Sequence, residues 1–184
     1  MAPPGPVGGT PLSVGPAEAR DLPGIVEVYN HYVRESPATF ELTPLRVEER
    51  RAWLEEHSRP GPHRLYVARS SAGRVLGWAS TSAFRPRAAY ATTVEASVYC
   101  RAGYLGRGIG SRLYRDLFAA IAREDVERIV AGLTLPNPGS WALHERFGFR
   151  WVGTFTRVGR KFGRYWDVAW FERPLRWTAR TPPR

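Results

Sequence analysis

The stretch RAGYLGRGIGSRLY, residues 101–114, constrains this chain most. It places Gly103, Gly106, Gly108 and Gly110 between a strand-like run and a helix-like one. Glycine weakens any regular element it joins, so the cluster is either a flexible turn or a backbone cradle for a phosphate-bearing ligand. Amides at a helix start lack internal partners and carry partial positive charge. Glycines let those N–H groups approach an anion with no Cβ in the way. The spacing is neither G-x-x-x-x-G-K-[ST] nor G-x-G-x-x-G; Gly106, Gly108 and Gly110 give G-x-G-x-G, which leaves both readings open.

The surroundings supply the context. Residues 12–17 read as a short strand. Asp21 is an expected N-cap with Pro23 in the first turn, and Ile25, Val28, Tyr29 and Tyr32 recur at helical spacing over 22–34. Leu45, Trp53 and Leu54 mark a second amphipathic stretch at 44–57. HRLYVARSSAGRVLGWASTSAF reads as a hairpin, 64–70 and 74–84, and ATTVEASVYC as a β-branched strand at 91–100. Ile109, Leu113, Leu117, Ile121 and Phe118 share one face of a helix over 108–123. A strand follows at 127–135, then a helix capped by Asn137, opened by Pro138 and ended by Gly148. The remainder reads as a terminal hairpin turning near 160–163. The order is β-α-α-β-β-β-α-β-α-β-β, an α/β chain without repeats.

Several function classes recede. At 184 residues and 43% apolar content the chain suits one folded domain, placed at 11–176 between Pro/Gly-rich tail 1–10 and tail 177–184. Cys100 is the single cysteine, so no internal disulfide forms; a small strand residue is the expectation for it. His31, His57, His63 and His144 lack metal-ligand spacing, so no metal is expected. No apolar run nears the roughly 18 residues of a membrane span, and MAPPGPVGGTP lacks the design of a signal peptide. A cytoplasmic protein with no membrane partner is expected. The net charge of +10 is almost wholly arginine, Lys161 being the only lysine. Those arginines are dispersed, which nominates an anionic ligand rather than nucleic acid.

Glu95 stands out. Alternation in TTVEASVYC puts Thr93, Glu95, Ser97 and Tyr99 on one strand face, opposite Val94, Ala96 and Val98. A carboxylate in an otherwise uncharged strand is costly to bury unless paired or functional. An exposed charge or an ion pair to an arginine is the plain alternative.

VYC, then GRGIGSRLY, then LPN, then LHERFGF together resemble the GNAT acyl-CoA-dependent N-acetyltransferases, in particular their phosphinothricin acetyltransferase type. VYNHYVRESPATFE, FRPRAAYATTVEASVY and GRKFGRYWDV match as well, so the likeness spans about residues 12–175. It implies the GNAT fold, a central mixed twisted sheet flanked by helices, and a homodimer. It implies acetyl-CoA as co-substrate, with pyrophosphate on the backbone of Gly106, Arg107, Gly108, Ile109, Gly110 and Ser111. Val98, Tyr99 and Cys100 would bind the pantetheine arm through their main chain, and Asn137 would bind it too. Glu95 would be the general base and Tyr114 a proton donor to the leaving thiolate; helix packing is the other reading of Tyr114. His144 and Phe40 would lie against the acceptor, although each equally suits a structural place. Arg85, Arg87 and Tyr90 would receive it, since two arginines can grip a carboxylate or phosphinate. The implied acceptor is a small acidic or strongly polar α-amino acid of the phosphinothricin, methionine sulfone or methionine sulfoximine kind. One departure is Leu105, where the family motif carries Gln or Arg; Arg107 is the candidate to compensate. An acetyltransferase for another amine, a nucleic-acid module built on the arginine–aromatic run 149–177, and a non-catalytic acyl-CoA binder remain alternatives.

Overall fold

The computed structural model describes residues 12–58 and 60–176; the tails expected at 1–10 and 177–184 lie outside the described residues. Among the described residues seven strands form one sheet: β1 (Leu12–Pro16), β2 (Leu65–Ser70), β3 (Val75–Ala83), β4 (Thr93–Cys100), β5 (Arg128–Thr134), β6 (Arg150–Lys161) and β7 (Arg164–Pro174). Their spatial order is β1-β2-β3-β4-β5-β7-β6, and only β4 and β5 run parallel. The helices are α1 (Leu22–Glu35), α2 (Arg51–Ser58), α3 (Ile109–Ala120) and α4 (Pro138–Arg146). The mixed sheet flanked by helices is the expected fold.

Strand alternation sorts the two faces. Val94 and Ala96 pack with Leu113, Tyr114, Leu117, Phe118, Ile129 and Phe171 on the α3 side. Trp78 packs with Leu22, Ile25, Val28 and Leu54 on the α1 side, and Tyr99 leans on that cluster. Each large side chain so buried contributes roughly 1.5–3 kcal/mol. Two apolar layers therefore clamp one sheet, and β4 lies between them.

Local details depart from expectation. Asp21 precedes α1 without capping it; its carboxylate accepts from Glu18 N–H (2.7 Å) and pairs with Arg69 across to β2 (2.5 Å). A buried salt bridge satisfies that carboxylate better than an exposed cap would. The stretch expected at 44–57 is helical only from a 3-10 turn at Glu48–Arg50 onward. Ala88–Tyr90 form a short 3-10 turn that sequence periodicity did not reveal. The arginines and aromatics of the terminal hairpin stack on one another: Arg164 lies 3.6 Å from the Trp166 ring centroid and Arg157 4.5 Å from that of Tyr165.

Candidate active site

β4 and β5 stay paired for only three positions, Thr93↔Arg128, Val94↔Ile129 and Glu95↔Val130. Beyond Glu95 they part. Arg101 N–H donates to Leu76 O (2.8 Å), which sets the ladder phase between β3 and β4. By that phase Glu95, Ser97 and Tyr99 bond β3 through their main chain, whereas Ala96, Val98 and Cys100 turn theirs toward β5. Leu135 N–H donates to Asp167 O (2.9 Å), so by the same rule Gly132 and Thr134 turn theirs toward β4. Two strand edges thus face each other across a cavity of about 600 Å³, closed by the starts of α3 and α4 and by residues 36–38. One edge group is taken: Tyr32 O–H donates to Cys100 O at 2.6 Å.

The glycine loop closes the cavity's other end. Gly106 and Gly108 have φ of 73° and 76°, a left-handed conformation, and a Cβ at either would meet no atom within 4 Å. Gly108 is the N-cap of α3 and offers no side chain, so the first amides of the helix are not capped. Gly110 differs: a Cβ there would come within 3.0 Å of Leu143 Cδ2, so it lets α4 approach α3. The loop is held from behind by buried Arg101, which donates to Val75 O (2.7 Å) and grips both Glu27 carboxylate oxygens.

Glu95 sits where the strands part, half-buried on the α1 side. Among the described residues its carboxylate has no hydrogen-bond or ion-pair partner. Burial pushes its carboxyl above the ordinary range, and the positive field of Arg85 pulls it partly back. Arg85, Arg87 and Tyr90 are exposed on the segment leading into β4, with Tyr90 edge-on to Phe84 at 5.8 Å. Phe40 lies on Gly159 of β6.

Tyr114 and His144, expected as a proton donor and an acceptor contact, form one buried pair on the α3 side, and both line the cavity. Tyr114 O–H and His144 Nε2 are 2.9 Å apart, and His144 Nδ1 is 2.7 Å from Ser140 O. A carbonyl only accepts, so Nδ1 holds the imidazole proton and Nε2 accepts from Tyr114. Burial keeps His144 neutral, pulling it down to about 4, and pushes the Tyr114 hydroxyl far above its ordinary value. Burial and the His144 partner thus hold the Tyr114 proton on its oxygen. Tyr114→Phe is expected to cost about 1–3 kcal/mol of stability by orphaning Nε2, while kcat falls less than about tenfold. A kcat loss beyond a hundredfold, with thermal stability unchanged, would instead assign Tyr114 the proton-donor role.

Tyr99 lines the cavity as well. Its main chain bonds β3, and its ring joins Tyr29, Tyr32 and Trp78 under α1. Cys100 has its thiol pushed up to about 11 by burial, which disfavours the thiolate and fits a packed strand residue. Asn137 does cap α4, accepting from Ser140 N–H at 3.1 Å, and lines the cavity. Arg107 lies over the Tyr104 ring (4.9 Å), and Leu105 is 64% exposed.

Three contributors escaped the sequence reading. Arg146, in the last turn of α4, reaches toward Ser111 Oγ (3.4 Å) beside the glycine loop. Tyr32 reaches the open edge of β4, though its spacing showed only a helix face. Ser36, Pro37 and Ala38 form a wall. Only Arg146 carried a signal, a lone cation in LHERFGF.

The acetyltransferase (GNAT) family model matches residues 25–149. Phosphinothricin N-acetyltransferase of Streptomyces coelicolor is 54% identical over 165 residues, 89% of this chain and 96% of that protein. L-methionine sulfoximine/L-methionine sulfone acetyltransferase of Pseudomonas aeruginosa is 36% identical over 170 residues, 92% of this chain and 98% of the relative. Among solved structures, the phosphinothricin acetyltransferase of Sinorhizobium meliloti in complex with AcCoA superposes with a TM-score of 0.84 at 34% identity, over 94% of this chain and 93% of that one.

Proposed function

This chain belongs to the acetyltransferase (GNAT) family, and we propose that it moves an acetyl group from acetyl-CoA to the α-amino group of a small acidic or strongly polar amino acid. The observation that carries this reading is Glu95: an unpartnered, partly desolvated carboxylate at the last paired position of β4, with Arg85 and Arg87 on the approach to it. The relatives named for phosphinothricin and for methionine sulfoximine and sulfone support the acceptor class.

The chain's residues fit the donor. Gly106 and Gly108 leave room where a Cβ would stand, and the uncapped start of α3 favours a pyrophosphate. Arg107 and Arg146 supply the charge that Leu105 lacks. The main-chain groups of Val98 and Cys100 on one edge, and Gly132 and Thr134 on the other, suit an extended amide-bearing arm, with Asn137 beside them. When bound, acetyl-CoA supplies an acetyl thioester open to an amine, with CoA thiolate as the leaving group.

An amino-acid ammonium is mostly protonated near pH 7 and must lose a proton before it attacks. Glu95 takes that proton, directly or through one water, in a ternary complex. A main-chain N–H on the open edge of β4 stabilises the oxyanion that forms. Arg85 and Arg87 hold the acceptor's acidic groups while Tyr90 and Phe40 border its side chain. A reaction that draws on acetyl-CoA belongs in the cytoplasm. The protein works as a homodimer: outer strand β6 leaves Trp151, Val152, Phe155 and Val158 more than half exposed, as an uncovered edge would not. Light scattering is expected to give twice the chain mass for wild type and the single mass for Phe155→Asp. A monomeric wild type would remove this element.

Acetyl-CoA-dependent thiol release across an amine panel tests the function. Phosphinothricin, methionine sulfone or methionine sulfoximine should turn over; aminoglycosides and polyamines, repelled by the arginines, should not. Turnover confined to the cationic amines would keep the fold and sink the acceptor class.

A further inference from the structure

We propose that Lys161 is a positioning residue for the acceptor, tying the β6–β7 turn to the segment 36–40, in which Ser36, Pro37 and Ala38 line the cavity and Phe40 borders the acceptor in the reading above. This rests on the acceptor reading above only for its kinetic arm. Lys161 ends β6 and is 4% exposed. Its Nζ donates to Tyr32 O (3.1 Å), Ser36 O (2.8 Å) and Thr39 O (2.8 Å). An ammonium has three protons, and all three are used on one short stretch. Carbonyls at a helix C-terminus lack intrahelical donors and carry partial negative charge, so a buried cation just beyond α1 is well placed.

The other end of the tie is rigid. Trp166 Nε1–H donates to Lys161 O (2.9 Å), and the turn residues Phe162 and Gly163 both take positive φ, 52° and 73°. Two residues earlier Gly159 lies directly under Phe40, so close that any Cβ would overlap the ring. Segment 36–40 is neither helix nor strand. From other elements it is also held by Tyr29 OH to Thr39 Oγ1 (2.6 Å) and a longer bond from Tyr99 O–H to Ala38 O (3.4 Å), and locally Ser36 Oγ accepts from Ala38 N–H (3.1 Å) and Thr39 Oγ1 from Glu41 N–H (3.3 Å). Lys161 thus fixes a wall that no backbone ladder holds. Arginine cannot replace it, because a planar fork does not aim three protons at convergent carbonyls.

Lys161→Met keeps the apolar stem and removes every donor; Gly159→Ala leaves Lys161 intact and displaces Phe40. Both are to be compared with wild type by amide hydrogen exchange and steady-state kinetics. In Lys161→Met, exchange over 36–40 should quicken about tenfold, with α3 and β4 unchanged. In both variants the acceptor KM should rise about tenfold, well beyond any rise in acetyl-CoA KM, while kcat stays within about twofold. Lys161→Arg should fail to rescue. Unchanged exchange at 36–40, or loss of protection throughout with both KM values rising together, overturns the proposal. Should wild type acetylate no amino acid, that failure belongs to the acceptor reading, and exchange still decides the role of Lys161.

Discussion

Glu95→Gln is expected to lower kcat by about 100- to 10,000-fold, the range of a positioned general base, with little change in either KM. Glutamine keeps the shape and the half-buried setting of the side chain and loses only the ability to take a proton. The pH profile makes the assignment specific. In wild type, activity should rise as Glu95 deprotonates, and because burial raises its carboxyl, that limb lies above the ordinary value of 4.5. The variant should lose the limb and retain only the dependence set by the acceptor's own amine. Stability should move the opposite way. A carboxyl raised in the folded state costs stability when ionised. That cost is complete above the folded pKa and gone below the unfolded one. Glu95→Gln should therefore melt at or above wild type at pH 8, with the advantage vanishing toward pH 4. Such a trade is characteristic of a residue kept for activity. A variant with nearly full kcat would move the base elsewhere.

Gly108→Ala is expected to raise the acetyl-CoA KM about 10- to 100-fold, equivalent to losing charged hydrogen bonds worth about 1.5–3 kcal/mol. The methyl group would stand in space that is empty within 4 Å, on a residue whose φ of 76° an L side chain resists. Strain and obstruction are separable here. Gly103 has a φ of 81° and equally open surroundings, yet it does not line the cavity. Gly103→Ala should therefore lose a similar 1–2 kcal/mol of stability and leave the acetyl-CoA KM alone. Equal KM effects in the two variants would mean that the loop's conformation, and not its open face, carries the binding.

Much of this was legible in the chain. Apolar spacing located the main strands and helices to within a few residues, α2 excepted, because burying one face of each element requires that spacing. The glycine cluster and the lone carboxylate of β4 marked the two ends of the site, since each violates a local preference that a purely structural segment would respect. The pairing of Tyr114 with His144 and the packing of the Tyr99 ring under α1 were not legible. A residue name states what a side chain can donate or accept, whereas its partner depends on neighbours distant in sequence. Tyr114 meets His144 thirty residues on, and His144 is neutral because burial excludes water from it.

From the sequence alone came the α/β order, the capped start of α4, the loop's capacity to hold an anion and the oddity of Glu95. Tertiary structure decided where β4 and β5 part, since that depends on which strand each main chain has already bonded. It also decided that Gly110 serves packing while Gly106 and Gly108 leave space, and that Lys161 reaches three carbonyls more than a hundred positions away. Local pattern records a residue's preference for helix, strand or turn; the convergence of side chains on one cavity is a property of the whole packed sheet, and no window of sequence contains it.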